Sequence, residues 1–170
     1  MLILGVDPGS LRTGWGLIAG TSACPQIVEC DLIRLTPSAP FPDRLHALQV
    51  AFEQLVRRVQ PTSAAVEAPF HGVNARASFQ LAHARGVLLA VLAGEGIPVS
   101  EYSPATVKKA VTGNGRAEKQ QVQSMILKLL GPGTVHPSFD VADALAVALC
   151  HAASLGLRSA LERATRRGAP

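Results

Sequence analysis

The chain has 170 residues, of which 48% are hydrophobic and 16% charged, a composition that excludes a disordered chain and fits one packed domain. Its net charge is +4, and its three cysteines (Cys24, Cys30 and Cys150) form no CxxC pair, which excludes a disulfide framework and a cysteine zinc site. We therefore expect a reduced, intracellular protein. We expect no signal peptide, because the apolar run at the N-terminus is only a few residues long and stops at Asp7. We expect no membrane helix, because the most apolar stretch, residues 86–93, is shorter than the roughly 18 residues required.

The first predicted element is a buried strand over residues 2–6 that ends at Asp7. Pro8 and Gly9 follow, and they suit the first and second central positions of a type II turn. We therefore predict a hairpin into a second strand over residues 13–19, with Asp7 at the strand end. The alternative interpretation is that Asp7 only hydrogen-bonds the turn.

A third strand over residues 26–35 completes a predicted antiparallel meander, and an amphipathic helix follows from Asp43 to the residues before Pro61. The next predicted strand, residues 63–68, carries Glu67 near its end. A buried acid is costly unless it is paired or binds a cation. Glu67 therefore repeats the pattern of Asp7, with a solvated surface carboxylate as the alternative.

The second half of the chain is predicted to be mainly helical. Helices are expected at residues 76–93, 105–111, 118–130 and 138–155, with one strand at residues 97–102. This order predicts an α/β fold, in which the meander is extended by strands reached through helical crossovers and helices cover both faces. We expect one domain over residues 1–157 and a basic, flexible tail over residues 158–170.

The last predicted helix carries Asp140 and Asp143, which are three residues apart and so project from one face. Asp140 could be present only because acidic residues stabilise helix N-termini. This alternative applies less to Asp143, which lies among small and apolar residues. If this helix packs beside the strands, both acids meet Asp7 and Glu67, and the four repel one another unless a cation joins them. Oxygen ligands alone favour Mg²⁺ or Mn²⁺, and two such ions about 4 Å apart suit phosphodiester cleavage.

Basic residues are concentrated in two segments. Residues 108–128 contain five bases and one acid, and residues 158–167 contain four arginines and one acid. Clustered bases favour a polyanion, because each phosphate contact releases counterions, although a solvated helix face is the alternative. Together with a carboxylate cluster, this charge pattern indicates a nuclease.

Five motifs resemble the RuvC-type Holliday-junction resolvases. They are D-P-G-S-x-x-T-G from Asp7, Glu67 followed by Phe70, an A-R-G-V turn at Arg85, V-K-x-x-V-x-G-x-G-x-A-E-K-x-Q-V over residues 107–122, and D-x-x-D-A-L-A from Asp140. The resemblance covers residues 2–151. It implies a ribonuclease-H-like fold with a mixed five-stranded sheet, a homodimer, and metal-dependent symmetric nicking of two opposed strands at a four-way DNA junction in recombination and repair.

The resemblance also implies Mg²⁺ as cofactor, with Mn²⁺ as a substitute, a cytoplasmic location, and partnership with the branch-migration proteins RuvA and RuvB. It assigns metal binding to Asp7, Glu67, Asp140 and Asp143, and catalysis to these four and Lys119. Some relatives carry His in place of Asp140, so we expect substitution there to be less damaging than at Asp7. The residues expected to contact DNA are Phe70, Asn74, Arg76, Lys108, Lys109, Arg116 and Lys119.

Within that set, Phe70 matches an aromatic residue that faces the junction, where its ring can stack on an exposed base. The predicted helix over residues 76–93 is our candidate dimer surface, because small and apolar residues dominate it. Three alternatives are a related nuclease acting on RNA or simple DNA, a non-catalytic junction-binding protein, and an actin-like ATPase. The last needs two domains around one nucleotide, for which 170 residues are too few.

Overall fold

The computed structural model describes residues 1–68, 74–131 and 138–167. The strands are β1 (Leu2–Asp7), β2 (Arg12–Thr21), β3 (Cys24–Arg34), β4 (Ser63–Glu67) and β5 (Val99–Tyr102). The helices are α1 (Phe41–Val59), α2 (Ala75–Gly94), α3 (Pro104–Thr112), α4 (Lys119–Leu130) and α5 (Phe139–Arg167).

The five strands form one mixed sheet in the order β3-β2-β1-β4-β5. Strands β1, β2 and β3 pair antiparallel, whereas β4 pairs parallel to both β1 and β5. This arrangement confirms the predicted meander and its extension through helical crossovers.

Each face of the sheet has its own hydrophobic core. Helices α1 and α2 cover one face, where Leu4 and Val6 of β1 are buried. Helices α3, α4 and α5 cover the other face, where Ile3 is buried. Because side chains alternate along a strand, Gly5 and Asp7 lie on the same face as Ile3. The last residue of β1 therefore points to the layer that contains α5.

The connection from β1 to β2 is a loop over residues 8–11 and not the predicted type II turn. Gly9 does not have the positive φ that such a turn requires. The backbone N–H of Gly9 donates to Thr13 Oγ1 at 3.3 Å, and the Thr13 hydroxyl donates to the Gly9 carbonyl at 3.1 Å. A Cβ on Gly9 would lie 1.8 Å from the Arg12 carbonyl oxygen, so glycine is required for this close approach.

Two other local predictions were wrong. The A-R-G-V motif forms no turn, because Arg85 and Gly86 lie within α2, and a single glycine costs a helix only about 1 kcal/mol. The last helix does not end near residue 155 but continues to Arg167, since the sequence there has high helix propensity and no proline. Leu157 and Leu161 remain 62% and 59% exposed. The proposed division between a domain and a flexible tail stays a prediction.

The expectation that the chain has no membrane helix stays a prediction, because two helices among the described residues are long and apolar enough to meet a length-and-composition criterion for membrane spans. They are α2 and residues 139–165 of α5. Half of the apolar window in α5 is buried inside the protein, whereas only 22% of the window in α2 is buried. Core helices of soluble proteins commonly meet the same criterion.

Candidate active site

Two strand ends place Asp7 and Glu67 beside each other. Val6 of β1 is in register with Val66 of β4, and the next residue of each strand is the acid. Parallel strands end at the same edge, and the alternation of side chains points both carboxylates toward the layer of α5. The structure therefore brings together the two strand acids that the sequence singled out.

Glycines allow α5 to approach these strands at backbone distance. Gly14 of β2 pairs with Asp7, and a Cβ on Gly14 would lie 2.0 Å from the carbonyl oxygen of Asp140. A Cβ on Gly5 would lie 2.0 Å from the carbonyl oxygen of Ala144. Because no side chain separates helix from sheet here, the first turns of α5 carry Asp140 and Asp143 to the edge occupied by Asp7.

Asp7 lies in an environment that disfavours its negative charge. Burial and, in decreasing order, the charges of Glu67, Asp143 and Asp140 together raise the pKa of Asp7 to about 8, although the charge of Lys119 opposes this increase. Burial and the charge of Asp143 also raise the pKa of Glu67, while a hydrogen bond from Asp7 opposes that increase. Without a cation, Asp7 therefore retains a proton near neutral pH.

Two lysines face the acids. Lys119 Nζ donates a hydrogen bond to Asp143 Oδ2 at 3.0 Å, and this bond raises the pKa of Lys119. Lys108 and Lys119 line a cavity of about 350 Å³ together with Glu67 and Asp143. The structure thus places both predicted lysines at the carboxylates, on the side open to solvent.

The other predicted DNA contacts lie farther from the acids or outside the described residues. Asn74 caps α2, with Oδ1 accepting from the backbone N–H of Ala77 at 3.2 Å. Arg76, Lys109 and Arg116 are exposed and line neither cavity at the acids. Phe70 lies in residues 69–73, outside the described part of the chain.

The donor set fits a hard divalent cation. Its four side chains supply only carboxylate oxygens, which suit Mg²⁺ or Mn²⁺ rather than Zn²⁺. Among the described residues, no three His, Cys, Asp or Glu side chains lie close enough together to coordinate one metal ion. A hydrogen bond from Asp7 to Glu67 and the ammonium of Lys119 beside Asp143 offset part of the repulsion among the acids. A dication would supply the same neutralisation within the cluster.

Two arginines near the site were not identified from the sequence. Arg12 Nε lies 3.6 Å from Asp140 Oδ2, with the arginine side chain 67% exposed. Arg85 donates from Nε to the carbonyl oxygen of Glu67 at 3.3 Å. Both residues lie within the motifs, but the spacing of residues along the chain does not predict a contact between separate elements.

Comparisons with known proteins agree with this geometry. A family model described as "Crossover junction endodeoxyribonuclease RuvC" matches residues 3–151. A protein of that name from Magnetococcus marinus is 44% identical over 149 residues, which cover 88% of this chain and 82% of the relative. Another from Desulforamulus reducens is 46% identical over 154 residues, which cover 89% of this chain and 93% of the relative.

A solved structure of a RuvC protein has the same fold as this chain. It is described as T. thermophilus RuvC in complex with Holliday junction substrate, and it superposes with a TM-score of 0.86 at 29% identity. The match covers 92% of this chain and 96% of the solved one. The ribonuclease-H-like architecture predicted from the sequence is confirmed by this match.

Proposed function

The chain belongs to the RuvC family of crossover junction endodeoxyribonucleases, and from this premise we propose that its four carboxylates form the centre that cleaves Holliday junctions. The observation that carries this proposal is the meeting of Asp7 and Glu67 at adjacent strand ends beneath the first turns of α5. Asp7 is so poorly solvated that its pKa is raised to about 8, which is the environment of a group that needs a countercharge.

Each group has a separate task in this proposal. Divalent cations supply water activation and stabilisation of the leaving oxygen in phosphodiester hydrolysis. Asp7 and Glu67 form the buried floor of their site, whereas Asp140 and Asp143 lie at its rim with side chains 28% and 21% exposed. Lys119 lies on the solvent side, where its ammonium can offset the charge that develops on the phosphoryl oxygens.

We propose Mg²⁺ as the cofactor, with Mn²⁺ as a substitute, because both ions accept a site built only of oxygens. Metal binding requires Asp7 to lose its proton, so the apparent metal affinity is expected to increase with pH up to about 8. Half-saturating metal concentrations for cleavage, measured from pH 6 to 9, test this dependence. A metal affinity independent of pH would argue against Asp7 as a ligand.

The test of the function is cleavage of a mobile four-way DNA junction beside a linear duplex of the same sequence. Reactions contain Mg²⁺, Mn²⁺ or a chelator, with the wild type and Asp7→Asn. We expect paired nicks in the junction alone, which need metal and are lost in the variant, whereas the variant still binds the junction. Cutting of both substrates would favour a general nuclease, and tight binding without cutting would favour a structural protein.

We propose further that the protein is a homodimer and that α2 forms the contact. Only 22% of the apolar window of α2 is buried, and Phe79 on this helix is 67% exposed. Ala82, Gly86 and Ala90 are exposed at four-residue spacing, which lets a second helix approach closely. Two copies that face one junction would also explain symmetric nicking of opposed strands.

Sedimentation analysis of Ala82→Arg tests this dimer surface. The charged side chain should convert a dimer to a monomer and abolish paired nicking. Val28→Arg is a matched control, because Val28 is 54% exposed on the edge strand β3, far along the chain from α2. Dissociation in the control alone, or in neither variant, would rule out α2 as the contact. Partnership with RuvA and RuvB and a cytoplasmic location follow from the resemblance and stay predictions.

A further inference from the structure

Arg85 is a partly buried cation on α2 that the proposed chemistry does not use. Its side chain is only 13% exposed, and it forms an ion pair with Glu101 of β5. It also lines a cavity of about 130 Å³ whose walls include Asp7 and Glu67. A charged side chain in such a position needs partners on several sides.

The partners of Arg85 lie at the end of β4. Arg85 Nε donates to the carbonyl oxygen of Glu67 at 3.3 Å. The backbone N–H of the next residue, Ala68, donates to the carbonyl oxygen of Tyr102 at 2.8 Å. The peptide group that follows Glu67 is therefore held from two directions, by the neighbouring strand and by the guanidinium.

Glu101 holds the guanidinium in place. Glu101 is in register with Val66, which is buried on the face of α1 and α2. Glu101 is thus on the α2 side of the sheet, while the Glu67 side chain is on the α5 side. One layer of the protein therefore fixes the backbone of an acid that serves the other layer.

We propose that Arg85 is a positioning residue for the active site, which sets the orientation of the Glu67 carboxylate by holding its carbonyl group. This inference rests on the proposed role of Glu67 as a metal ligand. Loss of a hydrogen bond to a metal-ligating group typically lowers metal affinity or activity roughly 10-fold to 100-fold. Arg85 acts on the ligand's carbonyl group and not on its carboxylate, so we expect an effect at the lower end of this range. Arg85 does not contact DNA in this role, so its loss should not weaken junction binding without metal.

The experiment measures Mn²⁺ binding to the protein without DNA, by electron paramagnetic resonance of the free ion. We expect Arg85→Met to weaken binding about tenfold, and to raise the Mn²⁺ concentration for half-maximal junction cleavage by a similar factor. Arg85→Lys should recover part of the loss, because lysine keeps the charge but cannot supply two donors in a fixed plane. Junction affinity in chelator should be unchanged in both variants.

Arg57→Met is the matched control. Arg57 also forms an ion pair with a glutamate, Glu95, at 2.7 Å, but it lines neither cavity at the acids. This variant should bind Mn²⁺ as the wild type does. Glu101→Gln provides a milder variant if Arg85→Met does not fold, since Glu101 is 49% exposed. It should weaken Mn²⁺ binding to a smaller extent.

Glu67→Gln separates this inference from the function on which it rests. If Glu67→Gln weakens Mn²⁺ binding and Arg85→Met does not, Arg85 has no positioning role. If Glu67→Gln binds Mn²⁺ as well as the wild type, Glu67 is not a ligand and both proposals fail. If Arg85→Met and Arg57→Met weaken binding equally, the effect is one of general stability and the inference is wrong.

Discussion

Asp7 holds a proton in the metal-free protein but must lose it to bind a metal ion. Burial and three nearby carboxylates raise its pKa to about 8, whereas the pKa of the same side chain in an unfolded chain is about 3.8. Between these values the folded protein holds a proton that the unfolded chain has released. The free energy of unfolding therefore decreases as pH rises from about 4 to about 8.

Asp7→Asn should remove most of this pH dependence. The amide cannot ionise, so the metal-free variant should melt at a higher temperature than the wild type at pH 8, because each unit by which the pKa of Asp7 is raised costs the ionised wild type about 1.4 kcal/mol. Melting temperatures in chelator from pH 4.5 to 9 measure the effect. The same variant should gain no stability from Mn²⁺. Parallel pH curves for the two proteins would contradict this account of Asp7.

Lys119→Ala should lower the cleavage rate more than the junction affinity. Lys119 Nζ lies 3.0 Å from Asp143 Oδ2, so its charge lies beside the acids. A positioned donor in a water-excluded site contributes about 3 kcal/mol to transition-state stabilisation, and the contribution of Lys119 should be smaller because its side chain is 65% exposed. Single-turnover cleavage at saturating protein separates rate from affinity. Lys128→Ala is the control on the same helix, since Lys128 is exposed in the last turn. Equal cleavage rates for the wild type and Lys119→Ala would show that Lys119 has no role in catalysis.

At the scale of elements, the site depends on how closely α5 lies on the sheet. Gly14 and Gly5 provide the space, and Gly16 does the same beneath Leu145. A side chain at position 5 or 14 would meet backbone atoms of α5 and push the helix outward. The aspartates on α5 would move with it, while Asp7 and Glu67 would stay on their strands.

Gly14→Ala is therefore expected to damage the site beyond its effect on stability. A Cβ there would lie 2.0 Å from the Asp140 carbonyl oxygen, and overpacking of this kind costs about 1–3 kcal/mol. We expect Mn²⁺ affinity and cleavage to decrease together, even at temperatures where the variant is fully folded. Gly94→Ala is the control for Mn²⁺ affinity, because nothing lies within 4 Å of its Cβ position. Normal metal binding by Gly14→Ala would show that α5 can shift without moving its acids.

The sequence predicted the elements that carry the acids because local signals define them. The apolar run before Asp7 and the run of small residues around Asp143 indicate a strand and a buried helix without reference to other parts of the chain. The contacts of Arg12 and Arg85 depend on which elements become neighbours, so no local pattern contains them. The sequence analysis missed the end of α5 for a related reason: residues 158–165 are exposed and lack the apolar periodicity by which helices are recognised.

At the scale of the whole molecule, recognition of an intact junction is expected to depend on Phe70. Phe70→Ala should impair cutting of four-way junctions more than binding of linear duplex, because stacking on an unpaired base contributes about 1–3 kcal/mol and a duplex offers no such base. Junction cleavage and duplex binding, measured at one salt concentration, give the comparison. Equal losses in both assays would count against stacking by Phe70.

The two faces of the sheet place different limits on how this sequence can vary over evolution. On the face of α1 and α2, large side chains such as Leu48 and Phe52 fill the core, and exchanges that keep total volume are tolerated. On the other face, a side chain at position 5 or 14 would collide with the backbone of α5. A library of all single substitutions, selected for survival after DNA damage, should recover many replacements at Leu48 and almost none at Gly5 or Gly14.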